Sequence, residues 1–246
     1  MNKFLFISLF VLFSSTGFAQ TAEELVNRGH KKQKKGKTTK AITFFTKAIE
    51  QDSTYEDAYY YRGTAYNRLK QYDKAYKDLY KSIGLCQWNL FAWYERGLAR
   101  MGLKNYSGAI YDFDHLLDMN PNFVRGYYKR GQAKMAYGDY RGAFIDFDQA
   151  IRLNSKYAPV YVDRGLASIK MGHLGAADSD FSKAIELDNK CSEAYYQRGL
   201  LYIGRGKYQQ ALNDLNKAKK YKHPLAERTI ADNKLVYKIA HYVNPL

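Results

Sequence analysis

A period of 34 residues runs through most of this chain of 246 residues and restricts its fold more than any other feature. An arginine–glycine pair recurs six times at this interval; an alanine follows each glycine by twelve residues, and a large apolar residue follows each alanine by four. The glycines are Gly29, Gly63, Gly97, Gly131, Gly165 and Gly199; the alanines are Ala41, Ala75, Ala109, Ala143, Ala177 and Ala211; the large residues are Phe45, Leu79, Phe113, Phe147, Phe181 and Leu215. Columns that agree over six periods identify an array of structural repeats.

The period from 90 to 123 shows what one unit contains. Apolar residues recur at spacings of three and four in two stretches, which is the pattern of two amphipathic helices. The stretches are separated by a break at residues 102–105, and Pro121 ends the second helix. Two such helices form an αα-hairpin. The small residues of the Gly and Ala columns let the helices approach closely, so a larger side chain there is expected to overpack the hairpin.

These columns resemble the tetratricopeptide repeat, a helix-turn-helix unit with the pattern Trp-x2-Leu-Gly-x2-Tyr, Ala-x3-Phe and Pro. The third unit places Trp93, Gly97, Ala109, Phe113 and Pro121 at the matching positions. The Leu of the pattern is an arginine in all six units, and the Tyr is present only in the second and sixth units. The resemblance identifies the family and no particular member of it.

The resemblance implies an all-α solenoid of six helix-turn-helix repeats over residues 22–225, with a C-terminal closing helix. The six units are 22–55, 56–89, 90–123, 124–157, 158–191 and 192–225. Residues 226–243 are predicted to form the closing helix, because Ala231, Leu235 and Ile239 recur at helical spacing without the Gly and Ala columns.

Residues 1–19 have the organisation of a secretory signal peptide. Lys3 precedes an apolar run from residue 4 to residue 13, and small residues follow up to Ala19. A run of ten apolar residues is too short to span a bilayer as a helix. We therefore expect cleavage before Gln20 and export to the periplasm, the cell surface or the medium.

The net charge of +15 is distributed unevenly. The six units carry +4, +2, −1, +4, −1 and +5, so positive charge concentrates at both ends and in the fourth unit. Six lysines surround the turn of the first unit: Lys31, Lys32, Lys34, Lys35, Lys37 and Lys40. Two interpretations stay open, a solvated surface of an atypical terminal repeat or a peripheral contact with an anionic surface.

No pattern of catalytic or metal-binding residues stands out. The five histidines are scattered, and neither a nucleophile elbow nor a phosphate-binding glycine loop is present. We therefore expect no cofactor, no metal and no enzymatic activity. The two cysteines, Cys86 and Cys191, are three repeats apart, which is too far for a disulfide.

Aspartates also recur every 34 residues, which indicates packing or surface pairing and not a catalytic dyad. They are Asp78, Asp112, Asp146, Asp180 and Asp214. Each is predicted to pair with the arginine of its own unit, as an exposed ion pair contributing about 0–1 kcal/mol. Arg28 is expected to lack this partner, because Phe44 stands where the aspartate should be.

The family resemblance implies that the first helix of each unit lines a concave groove. The candidate groove residues are Tyr60, Thr64, Asn67, Arg68, Tyr94, Leu98, Arg125, Tyr128, Lys129, Gln132 and Tyr196. The tyrosines recur at the fifth position of the units and are expected to form a ladder of exposed anchors. The alternative is that they only pack on neighbouring helices.

These observations favour a non-catalytic adaptor that binds a protein or peptide segment in its groove. An acidic residue or free carboxylate of the partner is expected near Arg125 and Lys129, which lie one helical turn apart. The alternative is a binder of anionic glycan or of the envelope surface, which would use the Tyr-rich groove and the Lys-rich ends. Nucleic acid is not expected as a partner of an exported protein. The sequence leaves the partner's identity and the oligomeric state open.

The signal-peptide interpretation predicts that the mature protein begins at or near Gln20 and lies outside the cytoplasm. N-terminal sequencing of the protein from fractionated cells measures both properties. An intact Met1 in a cytosolic fraction would contradict the prediction.

Overall fold

The structure, a computed structural model, describes residues 20–232, and within them it contains thirteen helices and no strand. The helices are α1 (Ala22–Lys34), α2 (Thr38–Gln51), α3 (Glu56–Arg68), α4 (Tyr72–Leu85), α5 (Leu90–Gly102), α6 (Tyr106–Met119), α7 (Val124–Tyr137), α8 (Tyr140–Leu153), α9 (Ala158–Lys170), α10 (Leu174–Leu187), α11 (Ser192–Gly204), α12 (Tyr208–Lys220) and α13 (Ala226–Asp232). The first twelve form six consecutive hairpins.

Each hairpin packs against the hairpin that follows it. The second helix of one unit contacts the first helix of the next, from α2 and α3 to α10 and α11. The first helices also lie side by side, because α1 contacts α3 and the series continues through α5, α7 and α9. The predicted all-α solenoid is confirmed. The first helices of the six units, α1, α3, α5, α7, α9 and α11, form its inner wall.

The Gly, Ala and large apolar columns form the core of each hairpin as predicted. The six alanines and the six large residues of these columns are fully buried. A Cβ atom added to Gly97 would lie 2.7 Å from the ring of Phe113, and one added to Gly131 would lie 2.6 Å from the ring of Phe147. The glycine is therefore required by the close approach of the aromatic ring.

The predicted arginine–aspartate pairs are present in units two to six. They are Arg62–Asp78, Arg96–Asp112, Arg130–Asp146, Arg164–Asp180 and Arg198–Asp214, with shortest N–O distances of 2.7, 2.7, 2.6, 2.6 and 2.7 Å. Their expected exposure was wrong, because all five aspartates are buried. The two helices of the hairpin cover the carboxylate, and the guanidinium supplies the hydrogen bonds that burial makes necessary.

The same arginine also reaches the preceding unit. Arg130 donates through Nη1 to Asp114 at 2.7 Å, and Arg164 donates to Asp148 at 2.8 Å. Arg62 and Arg198 make the corresponding bonds to the hydroxyl groups of Thr46 and Ser182: 3.1 Å and 2.9 Å. The side chain thus links its own hairpin to the one before it.

Arg28 in the first unit lies 5.0 Å from the centre of the Phe44 ring and has no carboxylate partner among the described residues. This agrees with the expectation from the sequence.

The turn inside each hairpin requires a residue with positive φ. Four units supply glycine there, Gly36, Gly138, Gly172 and Gly206, with φ of 71, 98, 80 and 69°. Lys70 and Lys104 occupy this position in the second and third units, with φ of 57° and 59°. Left-handed backbone costs an L-residue about 1–2 kcal/mol, so these two lysines are strained.

The C-terminal end is covered by α13, whose Ala226 is fully buried. The remaining part of the predicted closing helix and the predicted signal peptide at residues 1–19 lie outside the described residues. None of the described helices has the length and apolar character that crossing a membrane requires. Cys86 and Cys191 are both free thiols.

Replacing Gly131 by alanine should destabilise the protein by about 1–3 kcal/mol, because the added methyl group overlaps the Phe147 ring. Gly84 in α4 is the matched control, because nothing lies within 4 Å of a Cβ atom added there. Gly84→Ala should leave stability unchanged or raise it slightly through helix propensity. Urea unfolding followed by circular dichroism gives both values, and equal stabilities of the two variants would contradict the packing argument.

Replacing Asp146 by alanine should cost about 3–5 kcal/mol, because the charge of Arg130 then loses its buried partner. The Asp146 side chain is 2% exposed, whereas that of Asp114, the second partner of Arg130, is 49% exposed. Asp114→Ala should therefore cost only about 0–1 kcal/mol. The same urea titration compares them, and a larger loss in Asp114→Ala would show that the link between units dominates.

Candidate binding groove

The inner wall holds a polar groove of about 470 Å³ that spans α3, α5 and α7. Its walls are formed by Thr64, Asn67, Arg68, Tyr72, Glu95, Leu98, Met101, Gly102 and Lys129. Five of the predicted groove residues are among them: Thr64, Asn67, Arg68, Leu98 and Lys129. Glu95 and Met101 were absent from the prediction, although both lie on α5, the first helix of the third unit, which the family resemblance places along the groove.

A second, more apolar groove of about 400 Å³ lies further along the wall between α9 and α11. Leu166, Ile169, Leu174 and Leu200 supply most of its apolar surface, and Lys170 and Gln197 stand beside them. The prediction did not include these residues. The signal was available, because Leu166 and Leu200 occupy the same repeat position as Thr64, Leu98 and Gln132.

The tyrosine ladder lies deeper than expected. Tyr128 and Tyr196 are each only 8% exposed, so their interpretation as exposed anchors is wrong. Tyr60 and Tyr94 are half-buried, and burial raises the pKa of each to about 12. The Tyr94 ring centre lies 6.0 Å from that of Phe113 in its own hairpin and 5.6 Å from that of Phe123 in the following loop. These tyrosines therefore pack between neighbouring hairpins.

One polar cluster in the groove joins α3 to α5. The Asn67 amide donates to the main-chain oxygen and to a carboxylate oxygen of Glu95, both at 2.8 Å. Burial raises the pKa of Glu95, while the Asn67 amide and Arg68 oppose that shift. The Asn67 Oδ1 atom is buried and has no hydrogen-bond partner among the described residues. Protein atoms cover this acceptor, so the hydrogen-bonding group that the cluster presents to the groove is the Glu95 carboxylate.

A second cluster joins α7 to α9. The Lys129 ammonium donates to the Gln132 side chain at 2.8 Å, and the Gln132 amide donates to Asp163 at 2.8 Å. Burial lowers the pKa of Lys129, with Asp163 acting in the opposite direction. Burial also raises the pKa of Asp163. Lys129 makes no ion pair with the described carboxylates, so its charge is compensated only in part.

Arg125 and Tyr196 lie outside these two clusters. Arg125 is exposed one helical turn before Lys129 and makes no ion pair within the described part of the chain. Its charge lies close enough to Tyr94 to oppose the rise in that tyrosine's pKa. Tyr196 stacks on His223 with ring centres 3.8 Å apart and hydrogen-bonds to Thr229, so it belongs to the packing of α13.

Among residues 20–232, no group of three metal-ligating side chains stands together.

The six-hairpin array with an inner wall of parallel helices defines a helical-repeat protein. Two family models, both described as tetratricopeptide repeat, match it, one at residues 44–77 and the other at 25–55, 158–191 and 192–222. The chain belongs to the tetratricopeptide-repeat proteins.

Three solved structures illustrate the likeness. MamA shares 25% sequence identity, with a TM-score of 0.63 over 66% of this chain and 95% of its own. YrrB, described as a TPR protein with an unusual peptide-binding site, shares 23%, with a TM-score of 0.61 over 75% and 96%. PilF of Pseudomonas aeruginosa shares 15%, with a TM-score of 0.72 over 86% and 96%. No curated protein sequence matches this chain. The shared fold supports a scaffold for protein–protein interaction.

Proposed function

We propose that the protein is a non-catalytic, exported scaffold that binds an extended peptide segment of a partner protein along its inner wall. The observation that carries this proposal is the order of two different grooves along that wall. A groove lined by hydrogen-bonding and charged groups spans α3 to α7, and an apolar groove follows between α9 and α11. An extended peptide can present both kinds of group in order.

The polar groove suits a peptide main chain with an acidic side chain. The Glu95 carboxylate lines the groove and can accept more than its bond from Asn67, and a peptide N–H group is a donor that every residue except proline carries. Lys129 and Arg68 line the same groove and offer charge-assisted hydrogen bonds to a carboxylate. Glu95 lies between them, so the acidic group is expected near Lys129 and the exposed Arg125.

The apolar groove suits one large apolar side chain of the same peptide. Leu166, Ile169 and Leu200 offer it a surface that water otherwise covers. Burying such a side chain is worth about 1.5–3 kcal/mol. The expected ligand therefore carries an acidic residue toward the middle units and an apolar residue toward the C-terminal units.

Two further lines of support come from outside the groove. YrrB, which shares the fold, is described as having a peptide-binding site. The N-terminal segment with the organisation of a signal peptide supports a partner outside the cytoplasm. We propose that the protein is not a catalyst because its recurring polar side chains bind one another within the fold, as the five arginine–aspartate pairs do.

The peptide proposal is favoured over glycan binding in the groove. A glycan would need exposed aromatic rings to stack on, whereas Tyr128 and Tyr196 are buried. Tyr60 and Tyr94 are held between hairpins and present only part of their surface. The surfaces that remain accessible are hydrogen-bonding, charged and aliphatic groups.

The test begins with a photo-cross-linking residue placed at Leu98, in the polar groove, and in a second variant at Lys81, which is exposed on α4 and does not line the groove. Cross-linking in intact cells followed by mass spectrometry should identify a peptide segment attached to the Leu98 variant and not to the Lys81 variant. That segment is then synthesised and titrated against purified protein.

Lys129→Ala and Leu200→Ser should each weaken binding of the synthetic peptide by about tenfold or more, if they contact it as anchors. Lys81→Ala removes the same charge outside the groove and should leave affinity unchanged. Circular dichroism of each variant controls for folding. Equal affinity of all three variants would place the binding surface elsewhere on the protein.

A further inference from the structure

The turns within the six hairpins lie along one edge of the array, because the first helices run side by side in the same direction. This turn edge comprises residues 34–40, 68–74, 102–108, 136–142, 170–176 and 204–210. The loops between units, at 50–57, 84–91, 118–125, 152–159 and 186–193, form the opposite edge. The two edges differ in charge and in backbone strain.

The turn edge is strongly basic. It carries twelve lysines and arginines and only two acidic residues, Asp73 and Asp139, whereas the opposite edge carries four basic and eight acidic residues. Of the twelve cations, only Arg205 forms an ion pair within residues 20–232. The separation of charge means that an anionic surface is attracted to one edge and repelled by the other.

Of the six turns, only the second and third have a strained backbone. Lys70 and Lys104 hold the left-handed conformation that the other four units assign to glycine. Both side chains are exposed, and neither makes an ion pair that would explain a lysine there. Among the described non-glycine residues, only Lys222, beyond α12, shares this backbone conformation. Backbone strain without a structural benefit points to a role for the side chain itself.

The cations are accompanied by exposed apolar side chains. Leu69, Leu103 and Tyr137 each stand immediately before the residue with positive φ in their turn, and they are 38, 37 and 63% exposed. The pairs Leu69–Lys70 and Leu103–Lys104 therefore place an apolar tip beside a cation. At a membrane interface the apolar group enters the headgroup region while the lysine extends toward the phosphates. A dissolved polyanion would gain nothing from the leucines.

We propose that the turn edge docks the protein on the surface of an anionic lipid bilayer. Lysine predominates over arginine along this edge, which suits diffuse attraction to a charged surface more than bidentate recognition of one phosphate group. The turn edge adjoins the grooves, since Arg68 and Lys170 belong to both, but Lys70 and Lys104 line neither groove. The proposal therefore stands independently of peptide binding.

The test is co-sedimentation of the purified protein with vesicles of equimolar phosphatidylcholine and phosphatidylglycerol, and with vesicles of phosphatidylcholine alone. The protein should bind the anionic vesicles and not the neutral ones. The double variant Lys70→Gly, Lys104→Gly should lower the partition coefficient about 25-fold at low salt, since each lysine near an anionic leaflet contributes about fivefold. It should also unfold at an equal or higher urea concentration, because glycine relieves the strain, so lost binding cannot reflect lost folding.

Two matched controls decide what the edge recognises. Lys156→Ala with Lys190→Ala removes the same charge from the opposite edge and should leave vesicle binding unchanged. Leu69→Ser with Leu103→Ser should weaken vesicle binding, whereas Trp88→Ala, an exposed apolar residue of the opposite edge, should not. Absence of binding to anionic vesicles, or equal losses from the two lysine pairs, would overturn the proposal. Unchanged binding in the leucine variant, with equal affinity for duplex DNA, would replace the bilayer by polyanions in general.

Discussion

The arginine of the Arg–Gly pair in units two to six is the interaction on which the rest of the array depends. Its guanidinium has five N–H donors. In all five units it binds the aspartate of its own hairpin, and in four of them it also donates to the second helix of the preceding hairpin. An aromatic ring covers the guanidinium from outside, as Trp93 does at 4.7 Å from Arg96. One side chain thus fixes both the geometry within a hairpin and the attachment of that hairpin to its neighbour.

Much of the fold could be predicted from the sequence because each column of the repeat corresponds to one contact. Gly97 faces Phe113, and Arg96 faces Asp112, within a single hairpin. The first of these contacts repeats six times and the second five times, so their residues recur and the pattern identifies them. Burial of the aspartates was not evident, because an acidic residue next to a core position of a helix has the same place in the sequence pattern whether it faces water or a covering helix.

The groove was predicted less well because its depth depends on contacts between units. The fifth position of a unit was predicted to line the groove, but Tyr94 packs against Phe123, which lies in the loop leading to the next hairpin. Those loops vary along the chain. The pairing of Asn67 with Glu95 likewise joins residues of different units, and the similar pairing of Gln132 with Asp163 uses an amide from another repeat position. Sequence columns therefore indicate which way a side chain faces without indicating what covers it.

The partners of the bridging arginines also change along the array, and this gives the molecule a mechanical gradient. Carboxylates accept the bond at the junctions of α6 with α7 and of α8 with α9, whereas hydroxyl groups accept it at the first and last junctions. A bond between two charged groups is stronger than one to a hydroxyl. Arg96, at the junction of α4 with α5, makes no such bond among the described residues and lies 5.8 Å from the centre of the Tyr80 ring. Tension applied to the two ends would therefore separate this junction and the two outer ones first. The third, fourth and fifth hairpins, which the charged bonds join, would yield last, as a single block.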